Sequence, residues 1–258
     1  MKKIIVTTSW DDGHVLNFKI AELLRKYKLK GTFYVSKNYS PEDNLDNSGI
    51  IALSENNEIG AHTINHPHLS KIPLAEAKWE IDESKKWLED LLNVSIGMFC
   101  YPFGSYDNKI VELVKQAGFK GARTVGKLSI DKPNNFYEMD TTIQVYPFPF
   151  RKINANHYYW GRLFQPYLEN RERIKKFHIP FFCLKNWKSF SRAVFDMAVE
   201  NGTMFHLFGH SWEVEKYQMW NDLEDFFVYI SNRENCIYLT NGQMVSKYKD
   251  SNILRRLR

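Results

Sequence analysis

The chain has 258 residues, of which 43% are hydrophobic and 25% are charged, a composition typical of a folded globular protein and unlike that of a disordered chain. The net charge of +5 is modest and the basic residues are spread along the sequence, so we expect no nucleic-acid partner. The sequence contains no run of about eighteen apolar residues, so we expect no stable insertion into a membrane.

The cysteines and the N-terminus bear on the cellular compartment. Cys100, Cys183 and Cys236 are far apart and show no paired spacing, which argues against a disulfide framework and against a thiolate zinc site. The apolar stretch at the N-terminus, Ile4–Val6, is too short for the core of a signal peptide. We therefore expect a cytoplasmic protein in a reducing compartment.

Short β-rich runs alternate with amphipathic helical stretches along the chain. The run Ile4–Trp10 predicts a strand, the apolar spacing from Leu16 to Tyr27 predicts a helix, and Gly31–Val35 predicts a second strand. The same patterns predict strands at Glu58–His62, Met98–Tyr101, Gly121–Val125, Thr203–Phe208 and Ile237–Thr240, and helices at Leu74–Leu92, Asn108–Ala117, Phe190–Val199 and Met219–Ser231.

This alternation predicts the α/β class and a parallel barrel of the TIM-barrel type. About seven strand–helix repeats favour a barrel over an open sheet, because no glycine-rich phosphate loop follows the first strand. We expect a single domain over residues 1–258, with an aromatic-rich insertion at about 126–188. The densest part of this insertion runs from Tyr146 to Phe164, and its rings suit either stacking on sugars or packing within a lid or a subunit interface.

Two pairs of polar residues carry the clearest chemical signal. Asp11 and Asp12 end the first predicted strand, and His62 and His66 follow the third. Two imidazoles and one carboxylate can hold a catalytic divalent metal and leave positions open for water and substrate. The residue after His62 is Thr63, not the glutamate base of metalloprotease helices, so the base must come from elsewhere, and Asp11 can supply it.

The polar signals share one position within the predicted fold. The acidic pair, the histidine pair, Pro102–Gly104 and His206–His210 each lie at or just after the C-terminal end of a predicted strand. In a parallel barrel the loops at these ends build the active site. We therefore expect the four groups to converge on one face.

Four segments of this sequence, taken together and in this order, resemble the motifs of a known family. Ser9–Gly13, His62–His66, Cys100–Gly104 and Leu207–Trp212 are similar to successive motifs of the polysaccharide deacetylases of carbohydrate esterase family 4, which include chitooligosaccharide and peptidoglycan deacetylases. The resemblance implies a distorted (β/α)7 barrel, one zinc or similar divalent ion, and hydrolysis of an N-acetyl or related acyl group on a sugar.

The resemblance also implies roles for individual residues. Asp12, His62 and His66 match the family's metal ligands, and Asp11 matches its general base. The leaving amine needs a proton from a histidine, and we prefer His210 as this acid.

Further candidates come from the late strand and from the third motif. His206 is a second candidate acid on the same strand as His210. The backbone N–H of Tyr101 is our candidate donor to the oxyanion, and Pro102 and Phe103 are candidates for a wall beside the substrate.

The sequence departs from the family pattern at two places. Many members carry an arginine where Cys100 stands, and that arginine orients the catalytic base and pairs with its charge. Arg123, at the end of the next predicted strand, is our candidate substitute. The family's acidic residue and tryptophan near the catalytic histidine have no evident counterpart, and Asp140 is the nearest candidate.

These observations predict a metal-dependent hydrolase of carbon–nitrogen bonds other than peptide bonds, acting as a deacetylase on an amino sugar. The short N-terminal apolar stretch favours a nucleotide-linked or lipid-linked sugar. An amidohydrolase acting on a small non-sugar amide or a cyclic imide is the alternative. An Fe(II) oxygenase is disfavoured because those enzymes usually use antiparallel jelly-roll sheets. A non-catalytic carbohydrate-binding protein is disfavoured because the candidate base and all three candidate ligands are present.

Overall fold

Both faces of the first strand, β1 (Ile4–Trp10), are buried, as expected of a central strand in a parallel sheet. The computed structural model describes residues 3–39, 43–147, 152–154, 157–158, 171–201 and 203–256. Within these ranges, eight strands pair in parallel in one sheet. The other seven are β2 (Gly31–Val35), β3 (Glu58–Ala61), β4 (Met98–Cys100), β5 (Gly121–Arg123), β6 (Ile143–Gln144), β9 (Met204–Gly209) and β10 (Cys236–Tyr238).

The sheet curls into a distorted barrel in the order β5-β4-β3-β2-β1-β9-β6. β9 pairs along one side of β1, whereas β10 and β2 share the other side, at Ile4–Val6 and Thr8–Trp10 respectively. An irregular segment links the two ends of the sheet, because Ala122 N–H donates to the Phe136 carbonyl and Thr142 N–H donates to the His206 carbonyl. The predicted parallel α/β barrel is confirmed, and the two-residue strand β6 is an addition that the sequence pattern did not reveal.

Helices connect the strands and cover the sheet. Their bounds are Asn17–Lys26, Asn47–Ser54, Leu74–Leu92, Asn108–Gln116, Arg171–Lys176, Trp187–Asn201, Ser211–Lys216, Trp220–Ile230 and Asn241–Arg256. Short 3-10 turns occur at Leu69–Lys71, Pro102–Gly104 and Phe181–Lys185, and Lys152–Asn154 (β7) pairs with His157–Tyr158 (β8) in an antiparallel hairpin. No described helix is long and apolar enough to span a bilayer.

The helix Leu74–Leu92 matters most for the site. Its buried positions Ala77, Ile81 and Leu88 recur at helical spacing and pack into the main core. Asn93 directly follows the helix, and its left-handed conformation (φ 52°) is a common way to stop a helix. The same buried face carries one acid, Glu80, which is 2% exposed.

Large aromatic side chains on the outer face of the sheet pack against the helices, as Trp10 and Phe205 do against the helix Trp220–Ile230, whereas the barrel interior also holds polar groups. Trp10, Phe33, Phe99 and Phe205 are fully buried, and complete burial of a large apolar side chain contributes about 1.5–3 kcal/mol. Thr7, Ser9, Arg123 and His206 are also buried. The aromatic stretch expected from Tyr146 to Phe164 lies largely outside the described residues, and its role stays a prediction.

Candidate active site

Three side chains from the C-terminal ends of β1 and β3 meet at one point. Asp12 follows β1, while His62 and His66 follow β3. The Nε2 atoms of His62 and His66 are 3.0 Å apart, and Oδ1 of Asp12 is 3.6 Å from the first and 3.4 Å from the second. All three residues are buried. The structure therefore brings together the three side chains expected to bind a metal.

The donor atoms of this cluster fit a divalent cation. Nδ1 of His62 donates to the Cys100 carbonyl at 2.8 Å, which directs the other ring nitrogen, Nε2, at the cluster. Oδ1 of Asp12 is buried and lacks a hydrogen-bond partner among the described residues. Two imidazole nitrogens and a carboxylate oxygen held this close repel one another unless a proton or a metal ion lies between them. Imidazole and carboxylate donors suit zinc and related ions.

The ionisation differs among the members of the cluster. Burial by itself lowers the pKa of His62, but the neighbouring Cys100 and Asp12 outweigh it and raise that pKa well above its usual range. Burial and the neighbouring charge of His62 lower the pKa of His66 to about 3, so the His66 ring is neutral near pH 7. Burial by itself raises the pKa of Asp12, but the close approach of His62 and the nearby histidine charges outweigh it and lower that pKa. A neutral imidazole and an ionised carboxylate are the forms that bind metals, so a metal bound here would replace the proton of His62.

A second group of atoms, from Asp11, His62 and Cys100, also lies within 4.8 Å. Burial raises the pKa of the Cys100 thiol, which favours the neutral thiol over the thiolate that binds metals. The set of Asp12, His62 and His66 is therefore the better candidate metal site.

The backbone around the cluster adopts a left-handed conformation at several residues. Asp12 (φ 77°), Thr63 (φ 67°) and His66 (φ 55°) have positive φ, and so does Gly13 (φ 78°), where an added Cβ would lie 2.8 Å from Cγ1 of Val35. Such conformations cost on the order of 1–3 kcal/mol for a non-glycine residue and persist only where the surroundings hold them. The loops that carry the ligands are therefore held by contacts outside themselves.

Asp11 lies beside the cluster and pairs with Arg123. A guanidinium NH2 of Arg123 donates to Oδ2 of Asp11, and both side chains are buried. Burial by itself raises the pKa of Asp11, but the charge of Arg123 outweighs it and lowers that pKa. Oδ1 of Asp11 is buried and has no partner among the described residues. The position of Arg123 agrees with its expected part as substitute for the family arginine, while Cys100 Sγ lies 3.8 Å from the same Asp11 oxygen.

His210 lies across the site from the ligand histidines. Its Nε2 is 3.9 Å from Oδ2 of both Asp11 and Asp12. Its Nδ1 lies 2.7 Å from Oε2 of Glu213 and donates to it. Burial lowers the pKa of His210, but the hydrogen bond to Glu213 outweighs it and raises that pKa to about 9.

His206 occupies a different environment on the same strand. It is fully buried, and its Nε2 lies 2.9 Å from Oγ of Ser9. Burial, with the charge of Arg123, lowers the pKa of His206 to about 3. The geometry therefore favours His210 over His206 as the candidate acid.

The expected role of Tyr101 needs correction. Its backbone N–H donates to the Arg123 carbonyl at 3.2 Å, because the pairing of β4 with β5 continues to this residue, so the N–H is not available to an oxyanion. Phe103 is 53% exposed and lines the cavity, as expected of a wall beside the substrate. Pro102 is buried and is not among the described residues that line the cavity.

The cluster opens into a cavity of about 760 Å³. Aromatic rings surround it: Phe103 packs edge-on against His66 at 4.6 Å between ring centroids, and Tyr39 packs on the same imidazole at 4.2 Å. The lining residues are Asp11, Asp12, Tyr39, His62, His66, Tyr101, Phe103, Val125, Gly126, Lys127, Gln144, Phe208, His210, Trp212 and Glu213.

Two site residues on one short helix were missed by the sequence analysis. Trp212 Nε1 donates to Oδ2 of Asp12 at 2.8 Å, and Glu213 accepts from His210. They supply an acid and a tryptophan beside the histidine, whereas Asp140 accepts a hydrogen bond from Thr124. The spacing of His210 and Glu213 on a helix turn was the signal that could have identified the acid.

The model of the family described as polysaccharide deacetylase matches residues 1–122. The resemblance to polysaccharide deacetylases is confirmed. The matched region contains the candidate base and all three candidate ligands, while His210 and Glu213 lie beyond it.

Two curated proteins and one solved structure illustrate the similarity. The uncharacterised protein YlxY of Bacillus subtilis is 26% identical over 120 residues, which are 46% of this chain and 36% of YlxY. A peptidoglycan-N-acetylglucosamine deacetylase of Bacillus cereus is 27% identical over 118 residues, which are 45% of this chain and 54% of the relative. The chain thus spans between about a third and about half of the length of these relatives.

The structural comparison extends over nearly the whole chain. A Mycobacterium smegmatis crystal structure that carries the family name polysaccharide deacetylase superposes with a TM-score of 0.66, covering 97% of this chain and 92% of the other. The sequences are 10% identical, so the match shows a shared fold.

Proposed function

We propose that this protein is a metal-dependent hydrolase that removes an N-acetyl or related acyl group from an amino sugar or a sugar-containing molecule. One observation carries the proposal: a candidate metal site lies in one cavity with the Asp11 carboxylate and the His210 imidazole. The peptidoglycan deacetylase named among the relatives supports a sugar-linked amide as the substrate.

Asp12, His62 and His66 would hold the metal, and zinc suits their donor set. When bound, a divalent ion polarises the amide carbonyl and lowers the pKa of a water molecule. Trp212 holds the second carboxylate oxygen of Asp12, so that Oδ1 stays directed at the two imidazoles.

Asp11 is placed to act as the general base. Arg123 holds its Oδ2, and its Oδ1 remains without a protein partner among the described residues. The low pKa of Asp11 keeps the carboxylate ionised, which a base requires. Oδ1 is therefore the atom that takes the proton of the attacking water.

His210 is placed to act as the general acid. With a pKa near 9, its ring is protonated near pH 7 and can give the Nε2 proton to the amine nitrogen as the C–N bond breaks. Glu213 holds Nδ1–H and fixes the orientation of the ring. The products are a free amine and a carboxylic acid, so the reaction consumes one water and needs no other co-reactant.

The cavity suits a sugar better than a small amide. At about 760 Å³ it is of the size of pockets that enclose drug-sized ligands, and a cyclic imide would fill only part of it. Phe103 and Tyr39 present aromatic rings, which can pack against the apolar face of a sugar. The cytoplasmic location stays a prediction.

The proposal is tested by metal analysis together with an activity screen. Purified protein is assayed for bound metal and for acetate release from N-acetylglucosamine oligomers, N-acetylated nucleotide sugars, a small non-sugar amide and a cyclic imide. We expect about one divalent ion per chain and release from a sugar. His62→Ala should lose metal and activity, whereas His178→Ala, at an exposed histidine, should keep both.

Two results would contradict the proposal. Unchanged metal content in His62→Ala would remove the assignment of the ligands. Turnover of the small amide or the imide, with none of any sugar, would replace the sugar with the alternative substrate class.

A further inference from the structure

Glu80 is a buried acid whose hydrogen-bond partners, among the described residues, lie in the loop between the ligand histidines. Its Oε2 accepts from the backbone N–H of Ile64 at 2.8 Å and of Asn65 at 2.9 Å. Its Oε1 accepts from Nδ2 of Asn65 at 2.6 Å. Three donors of one loop thus converge on one carboxylate, which is carried by the helix Leu74–Leu92.

The two residues that Glu80 binds through their backbone lie between the two candidate ligands. His62 precedes them and His66 follows them. Thr63 and His66 have positive φ, so this turn is held in a conformation that the free chain rarely adopts. An outside anchor is therefore needed to keep both Nε2 atoms directed at the same point.

Other contacts hold the same loop, but none of them replaces the carboxylate. Asn38 N–H donates to the Ile64 carbonyl at 2.8 Å, and its Nδ2 donates to Oδ1 of Asn65 at 2.7 Å. Oγ of Thr63 accepts from His66 N–H at 3.0 Å. These contacts satisfy acceptors of the loop and one further N–H, whereas the N–H groups of Ile64 and Asn65 depend on Glu80.

The chemistry of the contact requires an anion. A carboxylate offers lone pairs on both oxygens and accepts all three hydrogen bonds. A glutamine at this position has almost the same shape, but its NH2 group would face an N–H donor of the loop. Such a substitution sets a donor of the glutamine against a donor of the loop, so at least one of the three hydrogen bonds is lost.

We propose that Glu80 is a positioning residue that holds the loop His62–His66 in the geometry that binds the metal. Without it, the loop must be ordered at the moment of binding, and the metal affinity falls. The inference rests on the proposed function, because it takes these histidines as ligands. Outer partners of metal ligands typically change the affinity by about 10–100-fold.

The test compares Glu80→Gln and Glu80→Asp with the unchanged protein and with Glu76→Gln. Glu76 is an exposed acid one turn earlier on the same helix, so its change removes the same charge without touching the loop. Affinity for Zn²⁺ alone is measured on folded metal-free protein by competition with a chromophoric chelator. Hydrogen exchange at the amides of Ile64 and Asn65 is measured on the same samples.

We expect the affinity for Zn²⁺ to fall about 10–100-fold in Glu80→Gln and to stay unchanged in Glu76→Gln. Glu80→Asp keeps the charge on a shorter side chain, so its affinity for Zn²⁺ should lie between those of the other two variants. It also provides the test if Glu80→Gln does not fold. At saturating Zn²⁺, the turnover of Glu80→Gln should fall far less than its affinity for Zn²⁺ does. A general loss of structure would instead lower both.

Two separate outcomes are decisive. Equal Zn²⁺ affinity in both Glu80 variants and the unchanged protein would overturn the role of Glu80 while leaving the metal site in place. If even the unchanged protein binds no Zn²⁺, the proposed function fails. The hydrogen-exchange rates of the Ile64 and Asn65 amides then test by themselves whether Glu80 holds the loop. Slow exchange in both Glu80 variants would overturn the positioning role, and fast exchange would support it.

Discussion

Arg123 and Asp11 form an ion pair in the barrel interior, and this pair joins the ends of two strands that are not neighbours in the sheet. The guanidinium also lies over the rings of Phe208 and Tyr34, at 4.8 and 5.4 Å from their centroids. Arg123 thus reaches the oxygen that Cys100 approaches from β4. An arginine on β5 can therefore hold the candidate base where the third motif lacks one.

Replacing Arg123 with glutamine should change the pH dependence of activity. Arg123 lowers the pKa of Asp11, so its removal raises that pKa. A base must be deprotonated to work, and the acidic limb of the kcat/KM profile should therefore move to higher pH. The buried carboxylate also loses its partner, which should destabilise the fold by about 3–5 kcal/mol.

Arg123→Lys is the matched variant, because it keeps the charge and loses the planar fork of donors. It should shift the acidic limb less than Arg123→Gln does. An acidic limb at the same pH in all three proteins would show that Arg123 does not tune the base.

Asp11→Asn should separate catalysis from metal binding. The amide keeps nearly the same volume but cannot accept a proton, so turnover should fall by about a hundredfold or more. Metal content should stay unchanged, because Asp12, His62 and His66 are intact. Elemental analysis and acetate release on the same sample measure both effects. Turnover equal to that of the unchanged protein would assign the base to another group.

Strand positions and the candidate ligands were predictable from sequence because each rests on a local pattern. β1 and β2 begin and end where the apolar runs do, and the helix Leu74–Leu92 matches its predicted bounds. Asp12, His62 and His66 meet because strand ends in a parallel barrel share one face. The strand positions follow from periodicity and the meeting of these side chains from topology, while their roles as ligands rest also on the resemblance to the family motifs.

Other features depend on contacts between distant residues and could not be predicted in this way. Trp212 reaches Asp12 across 200 positions of the chain. The engagement of the Tyr101 N–H follows from the exact register of β4 with β5, which single-sequence patterns do not specify. Glu80 looks like one more polar position on an amphipathic helix until its partners are known.

Glu213→Gln should shift the basic limb of the pH profile of kcat/KM. The hydrogen bond to Glu213 raises the pKa of His210 to about 9, so the uncharged amide should lower it. A general acid must be protonated, and activity is lost as the pH rises through its pKa. The basic limb of kcat/KM should therefore move to lower pH.

The control for this change is Glu215→Gln, at an exposed acid on the same helix. It should leave the basic limb in place. A basic limb that stays unmoved in Glu213→Gln would contradict the assignment of His210 as the acid.

Glu58 should contribute to the pH dependence of stability. Its carboxylate accepts from Thr32 Oγ1 at 2.6 Å and from Gly242 N–H at 2.9 Å, yet burial outweighs these bonds and raises its pKa above the usual 4.5. The folded state therefore binds this proton more tightly than the unfolded state. The stabilisation is present below pH 4.5 and is lost as the pH rises through the pKa of the folded state.

Chemical denaturation of the unchanged protein and of Glu58→Gln over a pH series measures this effect. The free energy of unfolding of the unchanged protein, relative to Glu58→Gln, should fall as the pH rises above 4.5 and then level off. Glu55→Gln, at a nearby exposed acid, is the control, because it measures how loss of a surface carboxylate changes the free energy of unfolding. A relative stability that rises over this range would reverse the inferred sign.

Trp212→Phe should lower the affinity for the metal while keeping an aromatic ring in the cavity. The indole N–H is the donor to Oδ2 of Asp12, and its loss leaves that carboxylate free to rotate away from the two imidazoles. Zn²⁺ affinity should fall about 10-fold or more. Trp220→Phe is the matched control, because its indole also donates to a carboxylate, that of Glu215, away from the site. Affinity lost equally in both variants would point to a general effect of removing tryptophan, whereas loss in Trp212→Phe alone identifies the hydrogen bond to Asp12 as the cause.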